Sequence, residues 1–190
     1  MKIFVSGGCK NGKSSFAQRL AKAQQARSGT SRLYYIATMR PVDAEDEERI
    51  LRHRRERDGL GFLLFEQPVA IESILDTCDH NASFLLDSLT ALLANEMFLR
   101  DGGVNEQAAE KIVGGLLRIM DSLENIVIVS DYIYSDAIAY DPLTEKYRKA
   151  LALIDRAAAE NCDVVLEIAY GNAIVHKGKE LLGGLYDTIL

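Results

Sequence analysis

Short apolar runs, each about the length of a strand, recur along the chain at Ile3–Val5, Leu33–Ala37, Phe84–Leu86, Ile126–Val129 and Val164–Ala169. Stretches of helical character separate most of them. The first helix is expected over Lys13–Ala26, with Gly29 near its end. A second candidate is the segment from Asp43 to Arg57, a third runs over Glu106–Leu123 with Asn105 as its cap, and a fourth, over Leu143–Glu160, is opened by Asp141-Pro142. This alternation predicts a mostly parallel sheet with helices on both faces. Ala173–His176 adds an edge strand before a C-terminal helix. Asp101-Gly102-Gly103 reads as a loop between helices and not as a domain boundary, because strands of the same sheet lie on both sides of it. No internal repeat interrupts the pattern, so one domain spanning residues 1–190 is expected.

The first apolar run leads straight into Gly7, Gly8, Cys9, Lys10, Asn11, Gly12, Lys13 and Ser14, a complete G-x-x-x-x-G-K-S phosphate loop. A loop wrapped around a polyphosphate turns its amide N–H groups inward, and side chains at Gly7 and Gly12 would obstruct that. Lys13 supplies a point charge for the outer phosphates, Ser14 can place a hydroxyl on Mg2+, and the following helix aims its positive end at the anion. The expected class is therefore an α/β P-loop NTPase of RecA-like type. Cys9 lies at a helix N-terminus, where a thiol can become acidic. It has no adjacent histidine or second cysteine, so a small loop residue is the alternative.

Composition narrows the picture further. The 190 residues are 48% hydrophobic, enough for one well-buried core and rather few for two. The net charge of -6 argues against a nucleic-acid partner. Three widely separated cysteines, Cys9, Cys78 and Cys162, indicate neither a disulfide framework nor a zinc site. No apolar run is long enough to cross a bilayer and no leader precedes the phosphate loop, which predicts a soluble cytoplasmic protein.

Further candidates for chemistry lie downstream. The segment DAEDEERILRHRRER is acidic at its start and basic at its end, as the helix dipole favours. Arg49, His53 and Arg57 are four residues apart and share one face. Neighbouring guanidinium groups disfavour imidazolium, so His53 can be read as a neutral nucleophile toward phosphorus; the other reading is a surface histidine on a solvated helix. Asp87 and Asp131 each follow an apolar strand, where ligands gather in open parallel sheets. Asp87 is the candidate for direct or water-mediated contact with Mg2+, against a cap for the helix starting near Leu89. Asp131 has the same choice between facing the loop and forming a turn. His80 and His176 have no comparable cluster.

In this order the motifs resemble those of the adenosylcobinamide kinase/adenosylcobinamide-phosphate guanylyltransferase family of cobalamin biosynthesis. GGCKNGKS is similar to the family's GG-x-x-x-GKS, Tyr35-Ile36-Ala37-Thr38 to its YIAT, and Arg49-Ile50 with Arg52-His53-Arg54 to its RI-x-x-H-R helix. Leu86-Asp87-Ser88-Leu89-Thr90, with Asn95 beyond, is similar to its LLD/E-x-x-T segment. The resemblance implies a GMP-histidine intermediate on His53. It also implies nucleotide contacts from Ala37, Thr38 and Met39, from Arg54, Arg55, Glu56 and Arg57, and from Glu66 and Asp87. Glu66 matches a carboxylate that follows a tryptophan in the family; here Phe62 stands near that position. The C-terminal half departs from the pattern: Ser130 to Ala139 replaces T-N-E-V-G-x-G-I-V-P. Arg148 keeps the family's arginine, but the asparagine-glutamine pair after it is absent. Gly171 and Lys177 weakly match the final G-x-x-x-x-x-K.

The resemblance implies a bifunctional enzyme acting on adenosylcobinamide and its phosphate, with ATP and GTP as substrates, Mg2+ on Ser14 and Asp87, and a homo-oligomeric, trimeric assembly. Two rivals are a P-loop small-molecule kinase of the same fold that lacks guanylyl transfer, and a non-catalytic nucleotide-dependent interaction module. Tyr132, Tyr134, Tyr140 and Tyr147 are expected either to line an acceptor pocket or to pack in a core or interface.

Overall fold

The computed structural model describes residues 1–41, 44–134 and 136–185; the side chains at 45–47, 49, 53 and 56 lie outside that description. Seven strands form one sheet: β1 (Lys2–Gly7), β2 (Leu33–Ala37), β3 (Phe62–Glu66), β4 (Ser83–Asp87), β5 (Asn125–Val129), β6 (Val164–Ala169) and β7 (Asn172–Lys177). Their spatial order is β3-β2-β4-β5-β1-β6-β7. Every neighbouring pair is parallel except β6 and β7, an antiparallel hairpin.

The helices are α1 (Lys13–Ser28), α2 (Ala44–Arg57), α3 (Leu89–Met97), α4 (Ala108–Ser122), α5 (Pro142–Asn161) and the short α6 (Lys179–Leu182); a 3-10 segment covers Ile71–Asp76. Successive strand residues point to opposite faces, and both faces are covered. Phe4, Phe84, Ile126 and Ile128 pack with α3, α4 and α5, whereas Ile3, Val5, Val127 and Val129 pack with α1 and Leu182. This double coverage explains why the central strands read as unbroken apolar runs instead of alternating ones. Among the described residues, α2 contributes to neither cluster.

Helix ends follow local chemistry. Gly29 closes α1 at φ 70°, and the Asp141 carboxylate accepts from the N–H groups of Leu143 and Thr144 ahead of α5. One expectation needs correction, and one alternative reading is removed. Asn105 does not cap α4: its Oδ1 accepts from the Gln107 N–H at 3.0 Å in a preceding turn, and the helix begins at Ala108. The cap of α3 is Ser88, whose hydroxyl accepts from Ala91 N–H, so Asp87 has no capping task.

The sequence pattern also passed over β3. This edge strand pairs only with β2, and its Leu63 and Leu64 are exposed. With one neighbour and no buried alternation, Phe62–Phe65 lacks the periodic signal of the inner strands; the only clue is a four-residue apolar run after Gly61. Phe62 and Phe65 hold it in place by packing on the rings of Tyr35 and Tyr34.

Candidate functional site

Parallel pairing puts the carboxyl ends of β1 to β6 along one edge of the sheet, so residues far apart in sequence form a row there. Register places Glu66 beside Ala37, Ala37 beside Asp87, and Gly7 beside Ile168. With strands about 4.8 Å apart, the row from β3 to β1 spans roughly 19 Å. The phosphate loop occupies one end and Glu66 the other.

At the loop end the backbone is tightly determined. A Cβ on Gly7 would collide with the Ile168 carbonyl and crowd the Asn11 amide, which itself donates to that carbonyl. Gly12 has open space around it but adopts φ 87°, which disfavours any side chain. Lys13 is buried, and its ammonium donates to the Gly8 carbonyl and pairs with Asp131, both at 2.7 Å. Asp131 is fixed in turn: its N–H donates to Thr90 Oγ1 at 2.9 Å, and the next N–H, of Tyr132, donates to the Gly7 carbonyl at 2.8 Å. Asp131 therefore faces the loop, the first of the two readings its position allowed. Cys9 is exposed.

A cavity of about 680 Å³ opens beside the loop, with Asp131 in its wall. Ala37, Met39 and Asp87 line its floor at the strand ends, and Ile50, Leu51, Arg54 and Arg57 line it from α2. Arg57 lies over the Tyr35 ring at 3.8 Å, a cation–π contact that ties the end of α2 to the sheet. Tyr35 in turn donates its hydroxyl to Asp87 Oδ2 at 2.8 Å. Burial raises the Tyr35 phenol well above its usual range, so it remains a donor. Arg54 pairs with Glu66 at 3.0 Å, but both are exposed, and such a pair contributes little. His53 lies on α2 between the cavity-lining positions 50 and 54; its side chain, like those of Arg49 and Glu56, is outside the described residues.

The family model for cobinamide kinase / cobinamide phosphate guanyltransferase matches residues 3–175. The chain belongs to that family. A relative, the bifunctional adenosylcobalamin biosynthesis protein CobP of Pseudomonas aeruginosa, is 29% identical over 183 residues, covering 95% of this chain and 100% of the relative. Among solved structures, a KaiC-like protein from Pyrococcus horikoshii superposes with a TM-score of 0.52 at 13% identity, covering 94% of this chain and 79% of the other. That likeness concerns the fold alone.

Within this member of the family the expected residues divide into groups. Gly7 to Ser14 form the loop end; Ala37, Met39, Arg54, Arg57, Glu66 and Asp87 meet at the cavity. Thr38 does not: it is fully buried, and its hydroxyl both donates to the Ser88 carbonyl and accepts from the Ser88 N–H, each at 2.8 Å. Arg55 is exposed and is absent from the cavity wall. Of the four tyrosines, Tyr147 alone lines the cavity, donating to the Thr90 carbonyl. Tyr134 donates to Asp155, Tyr140 donates to Asp136, and Tyr132 is exposed with its ring edge-on to Tyr134. Arg148 is buried under the altered 130–139 segment, donating to Asp136, Glu145 and the Ile133 carbonyl. Lys177 donates to the Ala159 and Glu160 carbonyls at the end of α5, away from the loop. Sequence reasoning missed Tyr35 as a holder of Asp87 and Arg57, and Ile50, Leu51 and Tyr147 as cavity walls, because each reads as ordinary core or helix surface.

Proposed function

We propose that this protein phosphorylates adenosylcobinamide with ATP or GTP and then transfers GMP from GTP to adenosylcobinamide phosphate through a GMP-histidine intermediate on His53. The observation that carries this reading is that Asp131 both pairs with Lys13 and lines the cavity, which brings the phosphate loop next to the chamber that α2 helps to wall. A triphosphate gripped by Lys13 and the loop amides can extend its base along the strand ends toward Glu66. Its α-phosphorus then lies below α2, the element that carries His53.

In the first reaction the protein supplies mainly positioning and charge. The loop amides and Lys13 hold the β- and γ-phosphates in line with the acceptor hydroxyl. In the second, an unprotonated His53 nitrogen attacks the α-phosphorus, forming an N–P bond as the bond to pyrophosphate breaks. The acceptor phosphate then displaces the imidazole. Arg54 and Arg57 supply positive charge on the same helix.

The donor set suits Mg2+ bound chiefly by substrate. Among the described residues no group of three or more His, Cys, Asp or Glu side chains could hold a metal alone. Ser14 and Asp87 offer hard oxygen donors, and Asp87 keeps a carboxylate oxygen beyond the one bonded to Tyr35. When bound, the ion would neutralise phosphate charge. The protein is expected to act in the cytoplasm as a homo-oligomer, a trimer by family resemblance.

Incubation with GTP labelled at the α-phosphate tests the reading. An acid-labile labelled protein should form, disappear in His53→Ala, and pass its label to cobinamide phosphate. The altered 130–139 segment, clamped by Arg148, favours one rival, a kinase of the same fold without guanylyl transfer. That rival would phosphorylate an acceptor and give no labelled protein.

A further inference from the structure

We propose that Asp131 is the general base of the phosphorylation reaction, taking the proton from the acceptor hydroxyl. The inference rests on the kinase half of the function above and adds to it a residue for which neither a loop motif nor a metal role accounts.

The position is specific. Lys13 grips the terminal phosphates, and Asp131 Oδ1 lies 2.7 Å from its ammonium, so the carboxylate borders the place where the transferring phosphoryl sits. Asp131 also lines the cavity through which an acceptor must come. Among the described residues, Oδ2 has no hydrogen-bond partner, while the backbone is pinned to Thr90 and the following residue to Gly7. The other carboxylates in the cavity wall are worse placed. Asp87 accepts from Tyr35 on a neighbouring strand, and Glu66 lies at the far end of the row, roughly 19 Å of sheet away. Asp155 lies behind the site on α5 and accepts from Tyr134.

In the step proposed, the acceptor oxygen forms a bond to the terminal phosphorus as the bond from phosphorus to the bridging oxygen of the nucleoside diphosphate breaks. The acceptor O–H bond breaks at the same time, and its proton passes to Asp131 and later to solvent. Phosphate oxygens compete with Asp131 for Lys13, so nucleotide binding loosens the carboxylate's ion pair as it creates the need for a base.

The test compares ATP-dependent phosphorylation of cobinamide by the wild type, Asp131→Asn, Asp131→Glu and Lys13→Met. It uses the natural acceptor and an analogue whose hydroxyl is made more acidic by neighbouring fluorines. Asp131→Asn should lower kcat by about 100-fold or more with the KM for ATP within about threefold, and Asp131→Glu should recover part of the loss. The acidic acceptor, which needs less help from a base, should narrow the deficit of Asp131→Asn by about tenfold and leave that of Lys13→Met in place. A kcat within about threefold of wild type, a loss carried mainly by KM, or equal deficits with both acceptors would overturn the proposal and reduce Asp131 to a partner of Lys13. If Asp131→Asn fails to fold, as its melting curve would show, Asp131→Ala carries the same comparison. A wild-type protein that phosphorylates no cobinamide overturns the function reading and this inference together; an active wild type with an unimpaired Asp131→Asn overturns this inference alone.

Discussion

The two ends of the site are built differently. The phosphate loop is anchored by the core at both of its ends: Lys13 is buried, Gly7 abuts β6, and α1 packs Phe16, Ala17 and Leu20 into the sheet. Helix α2, which carries His53, adds nothing to either apolar cluster among the described residues and meets the sheet through side-chain contacts such as Arg57 on Tyr35. The difference teaches that the phosphate loop is anchored by core packing, whereas His53, the proposed nucleophile, rides on a helix that adds nothing to the apolar clusters among the described residues.

The contrast can be broken most sharply at Lys13. Lys13→Met removes the ammonium held by the Gly8 carbonyl and Asp131 and should lower phosphoryl transfer by about 10²–10³-fold in kcat, read in a steady-state phosphorylation assay. Equal activity would mean that the loop end is not the phosphate grip.

Stability should separate the two ends next. Leu20→Ala, in the wholly buried face of α1, should cost about 2–5 kcal/mol in urea unfolding. Leu51→Ala, at 50% exposure on α2, should change stability by less than about 1 kcal/mol while weakening nucleotide binding at the cavity. Similar losses from both substitutions would show α2 to be as firmly packed as α1.

The smallest effect is one of pH. Burial pushes the Asp155 carboxyl up to about 7, with the neighbouring charge of Asp131 adding to the rise and hydroxyls of Ser130 and Tyr134 opposing it. The unfolded carboxyl titrates near 4, so between those values the folded chain binds more protons than the unfolded one. Stability from this group is therefore full below about pH 4 and is lost as pH rises through about 7. Asp155→Asn should flatten that slope in melting curves taken from pH 5 to 8 and stabilise the protein at pH 8 by about 1–2 kcal/mol. Arg54→Ala at the exposed end should shift stability by less than about 0.5 kcal/mol at any of these pH values.

Much of the loop end was legible beforehand. The strand Ile3–Val5, the eight-residue loop and the helix that follows it are local features, and each declares itself by residue type and spacing. The five inner strands announced themselves because coverage of both sheet faces favours apolar residues along them. The opposite end was harder to read. β3 has one neighbour and exposed leucines, so burial imposed little pattern on it. The resemblance implies a nucleotide contact from Thr38, whose hydroxyl is committed to Ser88, and Asn105 reads as a cap but serves the turn before it. In both cases a short polar side chain had several local options, and packing chose among them.

By itself the sequence determined the phosphate loop, the parallel architecture and the identity of the residues able to do chemistry, because amide cradles, strand burial and helix caps follow from local residue types. Only the tertiary structure decided which of those residues meet. Parallel pairing gathered Glu66, Ala37, Asp87 and the loop onto one edge, and the turn after β5 brought Asp131 onto Lys13. Such meetings depend on sheet order and register, which long-range packing sets and no local spacing encodes.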